Sequence, residues 1–199
     1  DTSYTSFPNR WGYMTGSGLP MKFLDPVAGS VIPVYEQATQ YEDDVQLSFE
    51  AYSVNWDFPT AQSHYQKSLS DSLTKYNTVT TMLFHPDHWS SYQSYAETVL
   101  QYAQAQSIPM YTTGDWLTFW QARAATTVSK PSFTSSTLAF TATGSPAGLT
   151  LLVPNASGNN GVVSTFQVDG VSQSFTVSAY QGVVYASVVL TAGTHDISV

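Results

Sequence analysis

The 199-residue sequence contains no cysteine, which excludes a disulfide framework and any zinc–thiolate centre. Charge is also scarce. Only 10% of residues are Asp, Glu, Lys or Arg, against about 25% in an ordinary soluble domain. Positive charge is the scarcer sign: 6 Lys and Arg face 14 Asp and Glu, for a net charge of −8 and an isoelectric point near 4.6. Nucleic acid and anionic membrane surfaces both need a basic footprint, so neither is an expected partner. No apolar run approaches the roughly 18 residues of a membrane-spanning helix, and no basic region leads into an apolar stretch at the N-terminus. We therefore expect no membrane span and no intact signal peptide.

What is present suits burial. Hydrophobic residues make up 42% and aromatic residues 14%, enough for one sizeable core or two modest ones. Ser, Thr, Tyr and Gln supply a surface that is polar without being ionic, and a sugar polymer is compatible with it. That composition, with a start at Asp1 rather than Met, leads us to expect a processed or excised piece of an exported, extracellular protein. Asn155-Ala156-Ser157 is an N-glycosylation triplet, which matters only in a glycosylating host.

Along the chain, residues 1–30 are rich in turn signals (Pro8-Asn9, Gly16-Ser17-Gly18, Asp25-Pro26, Gly29-Ser30) and are expected to form a long, functional loop. Val31–Tyr35 and Val45–Phe49 have the character of short strands. Asp57-Phe58-Pro59 is a helix start, with Asp57 as N-cap and Pro59 in the first turn. Tyr65, Leu69, Leu73 and Tyr76 follow at helical spacing. Thr78–Phe84 is a short, largely apolar run that suits a strand covered on both faces, and Pro86 stops it. Tyr92, Tyr95, Ala96, Val99, Leu100 and Ala103 mark a second helix from about Ser91 to Gln106. Ile108–Thr112 is the next expected strand, and Trp116 to about Ala125 a third helix. Alternating strands and helices predict an α/β unit with a parallel sheet over residues 1–125.

Thr126-Thr127-Val128-Ser129-Lys130-Pro131 lacks periodicity and is expected to be a connector. Beyond it, Leu138–Thr143, Leu149–Val153, Val162–Val168, Ser174–Ser178, Val183–Leu190 and His195–Val199 are β-rich runs between turn clusters, with Asp169-Gly170 a hairpin turn signal. Residues 132–199 are expected to form an all-β sandwich, an accessory module without Lys, Arg or Glu. Its ionisable residues form no evident constellation in the sequence.

The chemistry-bearing residues gather after the central strand: His85, Asp87, His88 and Trp89 fall just past its C-terminal end, where α/β folds hold ligands. His85, Asp87 and His88 are also metal-ligand types, but histidines three apart on a loop have no fixed geometry, and ordinary hydrogen bonding at a strand end accounts for them as well. Adjacent Asp43 and Asp44 point apart on an extended chain and suit a solvated turn better than a carboxylate pair. Trp116 and Trp120, four apart, suit packing of the third helix, and His64 an exposed helix position. Trp11, Trp56 and Trp89, expected in loops, are the better candidates for stacking on sugars.

Met82-Leu83-Phe84-His85-Pro86-Asp87, the following helix, and Ile108-Pro109-Met110-Tyr111-Thr112-Thr113-Gly114-Asp115-Trp116-Leu117 with Trp120 and Arg123 resemble the C-terminal part of polysaccharide-deacetylase-like domains, over roughly residues 10–125. The resemblance implies part of a deformed β/α barrel, in which a late strand ends in Leu-x-His. His85 matches that histidine, the general acid toward the leaving amine of an N-acetylated sugar. Arg10-Trp11-Gly12-Tyr13 resembles the loop whose arginine orients the catalytic base, which gives Arg10 a catalytic role. Asn55-Trp56-Asp57 resembles the tryptophan motif that walls the sugar pocket, which makes Trp56 and Asp57 substrate-binding.

The family's paired aspartates and its His-x-x-x-His metal motif belong upstream of the part matched. This chain is accordingly expected to carry no cofactor of its own, with a divalent metal such as zinc in a longer parent. The implied partner is a polysaccharide or cell-surface glycan. Two other readings fit the composition: a carbohydrate-binding protein that lost the metal site, and a structural subunit of an extracellular layer or filament that self-associates through sheet edges.

Overall fold

The computed structural model describes residues 19–37, 39, 41–42, 47, 53–155, 162–180 and 182–199. The protein is of mixed α/β class and divides into two compact units, Asp1–Thr113 and Gly114–Val199.

In the first unit, strand β1 (Met21–Leu24) pairs antiparallel with β2 (Val31–Glu36). The tight reversal between them is held by Asp25, whose Oδ1 accepts from the backbone N–H groups of Val27 (2.8 Å) and Ala28 (3.0 Å). Residues 21–24, expected within a long loop, are therefore strand. The strand expected over Val45–Phe49 lies outside the described residues except for Leu47, which is buried and helical, not part of a strand.

Helix α1 (Phe58–Asp71) begins as the sequence predicts: Asp57 is extended, its Oδ1 accepts from Thr60 N–H at 2.8 Å, and Pro59 sits in the first turn. Tyr65 and Leu69 are buried on the expected face, but Leu73 is exposed. The helix widens into a π turn at Ser72–Tyr76, which rotates the residues after it around the axis. Asp71, near the junction, is buried and lies between Lys67 and Lys75, the latter at 2.7 Å. Hydrogen bonds from Lys67 and then Lys75 hold its carboxyl below the ordinary range.

The central strand is shorter than expected: only β4 (Met82–Leu83) forms, parallel to β3 (Tyr41–Glu42). Thr78–Phe84 is half-buried, not covered on both faces. Its threonines bond sideways instead, Thr80 to Ser72 Oγ at 3.0 Å and Thr81 to Gln37 Nε2 at 3.3 Å. Helix α2 (Trp89–Ala105) buries Tyr92, Tyr95, Ala96, Val99 and Ala103 of the face its spacing predicts, while Leu100, expected on that face, is exposed. With Leu47, Ala61, Tyr65 and Leu69, residues of that face make the core of this unit, and Trp56, Met82, Phe84, Tyr102 and Ile108 pack against it.

No strand forms over Ile108–Thr112. Ser107 adopts a left-handed conformation (φ 54°) and Ile108 N–H returns to Ala103 O at 2.9 Å, so these residues close the helix instead. Ile108, the apolar residue after that cap, supplies the hydrophobic contact such motifs make with the core.

In the second unit, helix α3 spans Thr113–Ala125. The segment expected as a connector belongs to strand β5 (Thr127–Thr134), an edge strand antiparallel to β6 (Thr137–Ser145). Its register shifts between Ser129 and Ser132, so Lys130 and Pro131 sit in a bulge, where a residue without an N–H is tolerated. The remaining strands are β7 (Leu149–Pro154), β8 (Gln167–Val168), β9 (Val171–Ser172), β10 (Thr176–Tyr180), β11 (Val183–Leu190) and β12 (Gly193–Ser198). They form two antiparallel sheets, ordered β5-β6-β12-β8-β9 and β10-β11-β7. One core, with Phe140, Val153, Phe166, Val188, Leu190 and Ile197 among its members, draws on strands of both. Asp169 (φ 54°) and Gly170 (φ 76°) turn the β8–β9 hairpin with both central residues left-handed, the type I′ geometry that Asp-Gly favours.

Candidate functional site

His85 lies two residues past the end of the parallel strand β4 and is half-buried, with an extended backbone (φ −92°, ψ 124°). Pro86 then opens a short 3₁₀ turn, Pro86–His88, closed by His88 N–H donating to His85 O at 3.1 Å. This turn brings the two imidazoles edge to face, with ring centres 6.1 Å apart, and places His88 6.0 Å from the Tyr92 ring. His88 Nε2 stands 3.8 Å from Asp87 Oδ2, and both side chains are exposed. Trp89 is the first residue of α2, not a loop residue, and meets Phe84 edge-on at 6.0 Å. Phe84 in turn contacts Tyr95 of the core, so the cluster rests on a packed aromatic base.

Trp56 and Asp57 lie just before α1. Trp56 is half-buried against the same core as Phe84, and its indole stacks on His64. Asp57 is exposed and engaged in capping, and its hydrogen bonds with Thr60 lower its carboxyl pKa below the ordinary 3.8. Arg10 and Trp11, and the Asp43-Asp44 pair, lie outside the described residues. Among the described residues no three His, Asp or Glu side chains converge as a set of metal ligands. A metal would need ligands beyond those. Also among the described residues, no helix is long and apolar enough to cross a membrane.

The structure reveals two groups that the sequence reading did not single out. Glu36 at the end of β2 is buried (6% exposed), and neither of its carboxylate oxygens has a hydrogen-bond partner among the described residues. An unsatisfied buried carboxylate is costly and calls for a compensating ligand or role. The second group joins Asp169, in the β8–β9 turn, to His195 on β12. His195 is buried, its Nδ1 is 2.8 Å from Asp169 Oδ2, and its Nε2 is 3.1 Å from Thr191 O.

Thr191 Oγ1 is also 3.4 Å from Nε2, so Asp, His and a hydroxyl stand in the order of a nucleophile relay. The nearer carbonyl argues against that use. With a carboxylate at one nitrogen and a carbonyl at the other, the ring is favoured as a double donor, which cannot take a proton from a hydroxyl. The hydrogen bond to Asp169 raises the His195 pKa above 6.5, opposed by burial and aided by the Thr191 carbonyl. The same bond, followed by the one from Asp196 N–H, lowers that of Asp169. The sequence signal for this pair is weak, because its members stand 26 positions apart.

Comparison with known proteins finds no matching family, no matching curated protein and no matching solved structure.

Proposed function

We propose that this chain is part of a secreted, carbohydrate-active protein of polysaccharide-deacetylase type. In this reading the first unit is the C-terminal part of a deformed β/α barrel and the second a β-sandwich accessory module. The observation that carries it is the position of His85, half-buried two residues past a strand in a parallel pair and followed by a short turn that holds His88 and leads into Trp89. A histidine there suits proton donation to a leaving amine, because its ordinary pKa of about 6.5 lies near neutrality. Trp56 would wall the sugar site and Arg10 would orient a base from the parent. Paired aspartates and a divalent metal, such as zinc, would likewise come from upstream sequence.

The test is deacetylation of N-acetylated sugar oligomers by the longer parent protein. His85→Asn should leave folding and sugar binding nearly intact while lowering turnover by about 10²- to 10⁴-fold, the usual worth of general acid catalysis. Loss of stability without a specific effect on chemistry would assign His85 a structural role only.

A second reading, a glycan-binding protein without catalysis, is favoured by the outer face of the β10-β11-β7 sheet. The register lines up Thr176, Ser178 and Tyr180 with Ser187, Tyr185 and Val183, and these with Leu152 and Pro154. None is charged, and the Tyr180 and Tyr185 rings lie 6.1 Å apart. Aromatic rings beside hydroxyls offer an apolar surface with polar handles, which suits neutral sugars. A glycan screen of the chain with Tyr185→Ala as control tests it, and a sizing column run alongside tests self-association through sheet edges.

A further inference from the structure

Between Ser132 and Val199 the only Asp, Glu, His, Lys or Arg residues are Asp169, His195 and Asp196, and hydrogen bonds join all three. Asp169 Oδ2 takes the His195 ring and Oδ1 accepts from Asp196 N–H, both at 2.8 Å, while Asp169 N–H donates to Asp196 O at 2.8 Å. The Asp196 carboxylate points elsewhere, accepting from Thr141 Oγ1 of β6 at 2.8 Å. His195 shares the inward face of β12 with Ile197, a core residue, and pairs with Ala142 of β6. Its other nitrogen and the buried Ser145 hydroxyl (2.9 Å) both donate to Thr191 O in the β11–β12 turn.

The hairpin that Asp169 turns is anchored in the core by Phe166 and Val168 at its base but makes few ladder contacts with the sheet. β8 and β9 are two residues each, β9 is the sheet edge, and β8 meets β12 only at Val168↔Ile197 and Gln167↔Ser198. We propose that the Asp169–His195 pair is a protonation-dependent latch that holds the β8–β9 hairpin on β12 and lets it open when the ring loses its proton.

The groups around the ring support a proton as the switch. From the β8–β9 turn the ring meets a carboxylate, from the β11–β12 turn a carbonyl and the Thr191 hydroxyl, and its partner on β6 is the uncharged Ala142. Lys130 is the one Lys or Arg on the strands of this unit, and it lies on β5, which pairs with β6 and not with β12. Loss of the proton leaves one nitrogen facing an acceptor with nothing to donate, inside a buried site.

Linkage fixes the direction. The raised His195 pKa contributes stability that is fully present below 6.5 and is lost as pH rises through the folded value. The lowered Asp169 pKa contributes stability that is present above 3.8 and is lost as pH falls through its folded value. The latch is therefore at full strength between those two pH values and opens on the alkaline side first.

Amide exchange on the full chain tests this, comparing the wild type with Asp169→Asn, which keeps an Oδ1 acceptor and tolerates the left-handed backbone. At about pH 5.5 the variant should lose protection at Gln167, Val168 and Asp196 by about ten- to a hundredfold, the worth of a charge-assisted hydrogen bond. As the pH rises past the His195 transition the two proteins should converge, while the amides of β11 stay protected throughout. Equal loss at every pH, or loss extending equally through β11, would overturn the proposal. So would ring ¹⁵N shifts showing the wild-type imidazole neutral at about pH 6.5, a readout that needs no variant.

Discussion

The imidazole of His64 lies flat on the indole of Trp56, with ring centres 4.1 Å apart and planes 13° from parallel. His64 belongs to the second turn of α1, and Trp56 stands just before the Asp57 cap. The first turn of the helix therefore folds one ring back over the other. Trp56 also packs against the helical core, so a sugar stacking on the ring face that His64 covers would have to displace His64.

That arrangement makes His64→Ala informative. It should lower the stability of the first unit by about 0.5–1.5 kcal/mol, the usual worth of an aromatic pair, and shift the Trp56 indole N–H resonance. If Trp56 walls a sugar site, the same change should tighten binding of a neutral oligosaccharide. An unmoved indole signal would mean that the rings do not stack in solution.

Asp57 should prove to be a cap before it is anything else. Asp57→Ala should lower the unfolding temperature and reduce amide protection in the first turn of α1, whereas Asp57→Asn, also a good N-cap, should recover most of the loss. Hydrogen bonding with Thr60 lowers the Asp57 pKa. The cap's contribution is thus present above 3.8 and lost as pH falls through the folded value. A wild-type advantage over the Ala variant that persists unchanged into strong acid would contradict this.

Glu36 should behave unlike most buried residues. The residue is 6% exposed, and its carboxylate oxygens have no hydrogen-bond partner among the described residues. Glu36→Met should then raise stability by about 1–3 kcal/mol, the penalty of an unsatisfied buried polar group. Urea midpoints at neutral pH measure it. Destabilisation instead would show that the carboxylate is compensated by a bound group.

Phe166 is fully buried in the core of the second unit, beside Phe175 at 6.1 Å. Phe166→Ala should cost about 3–5 kcal/mol. Amide exchange should place the loss in strands β6, β7, β11 and β12. A cost below about 1 kcal/mol would mean that this core can collapse around the deletion.

The sequence by itself determined the features whose causes are local. Asp57 and Pro59 start α1, the spacing of Tyr92, Tyr95, Ala96, Val99 and Ala103 marks the buried face of α2, and Asp169-Gly170 turns a hairpin. Each follows from contacts within a few residues, which periodicity, caps and turn chemistry record. Val183–Leu190 was legible as a strand because its β-branched run and flanking turns are local as well. Tertiary structure decided the rest. Thr127–Thr134 has no strand-like pattern and becomes β5 because β6 offers it a ladder. Ile108–Thr112 has an apolar start and stays out of a sheet because Ile108 is used to close α2. In the candidate site, the order of His85, Pro86 and Trp89 was visible in the sequence, but the packing of His64 on Trp56, the burial of Glu36 and the meeting of Asp169 with His195 were not. Strand pairing and buried polar contacts are made between residues far apart in the chain, and their free energy depends on which partner arrives, information that no local stretch of residues carries.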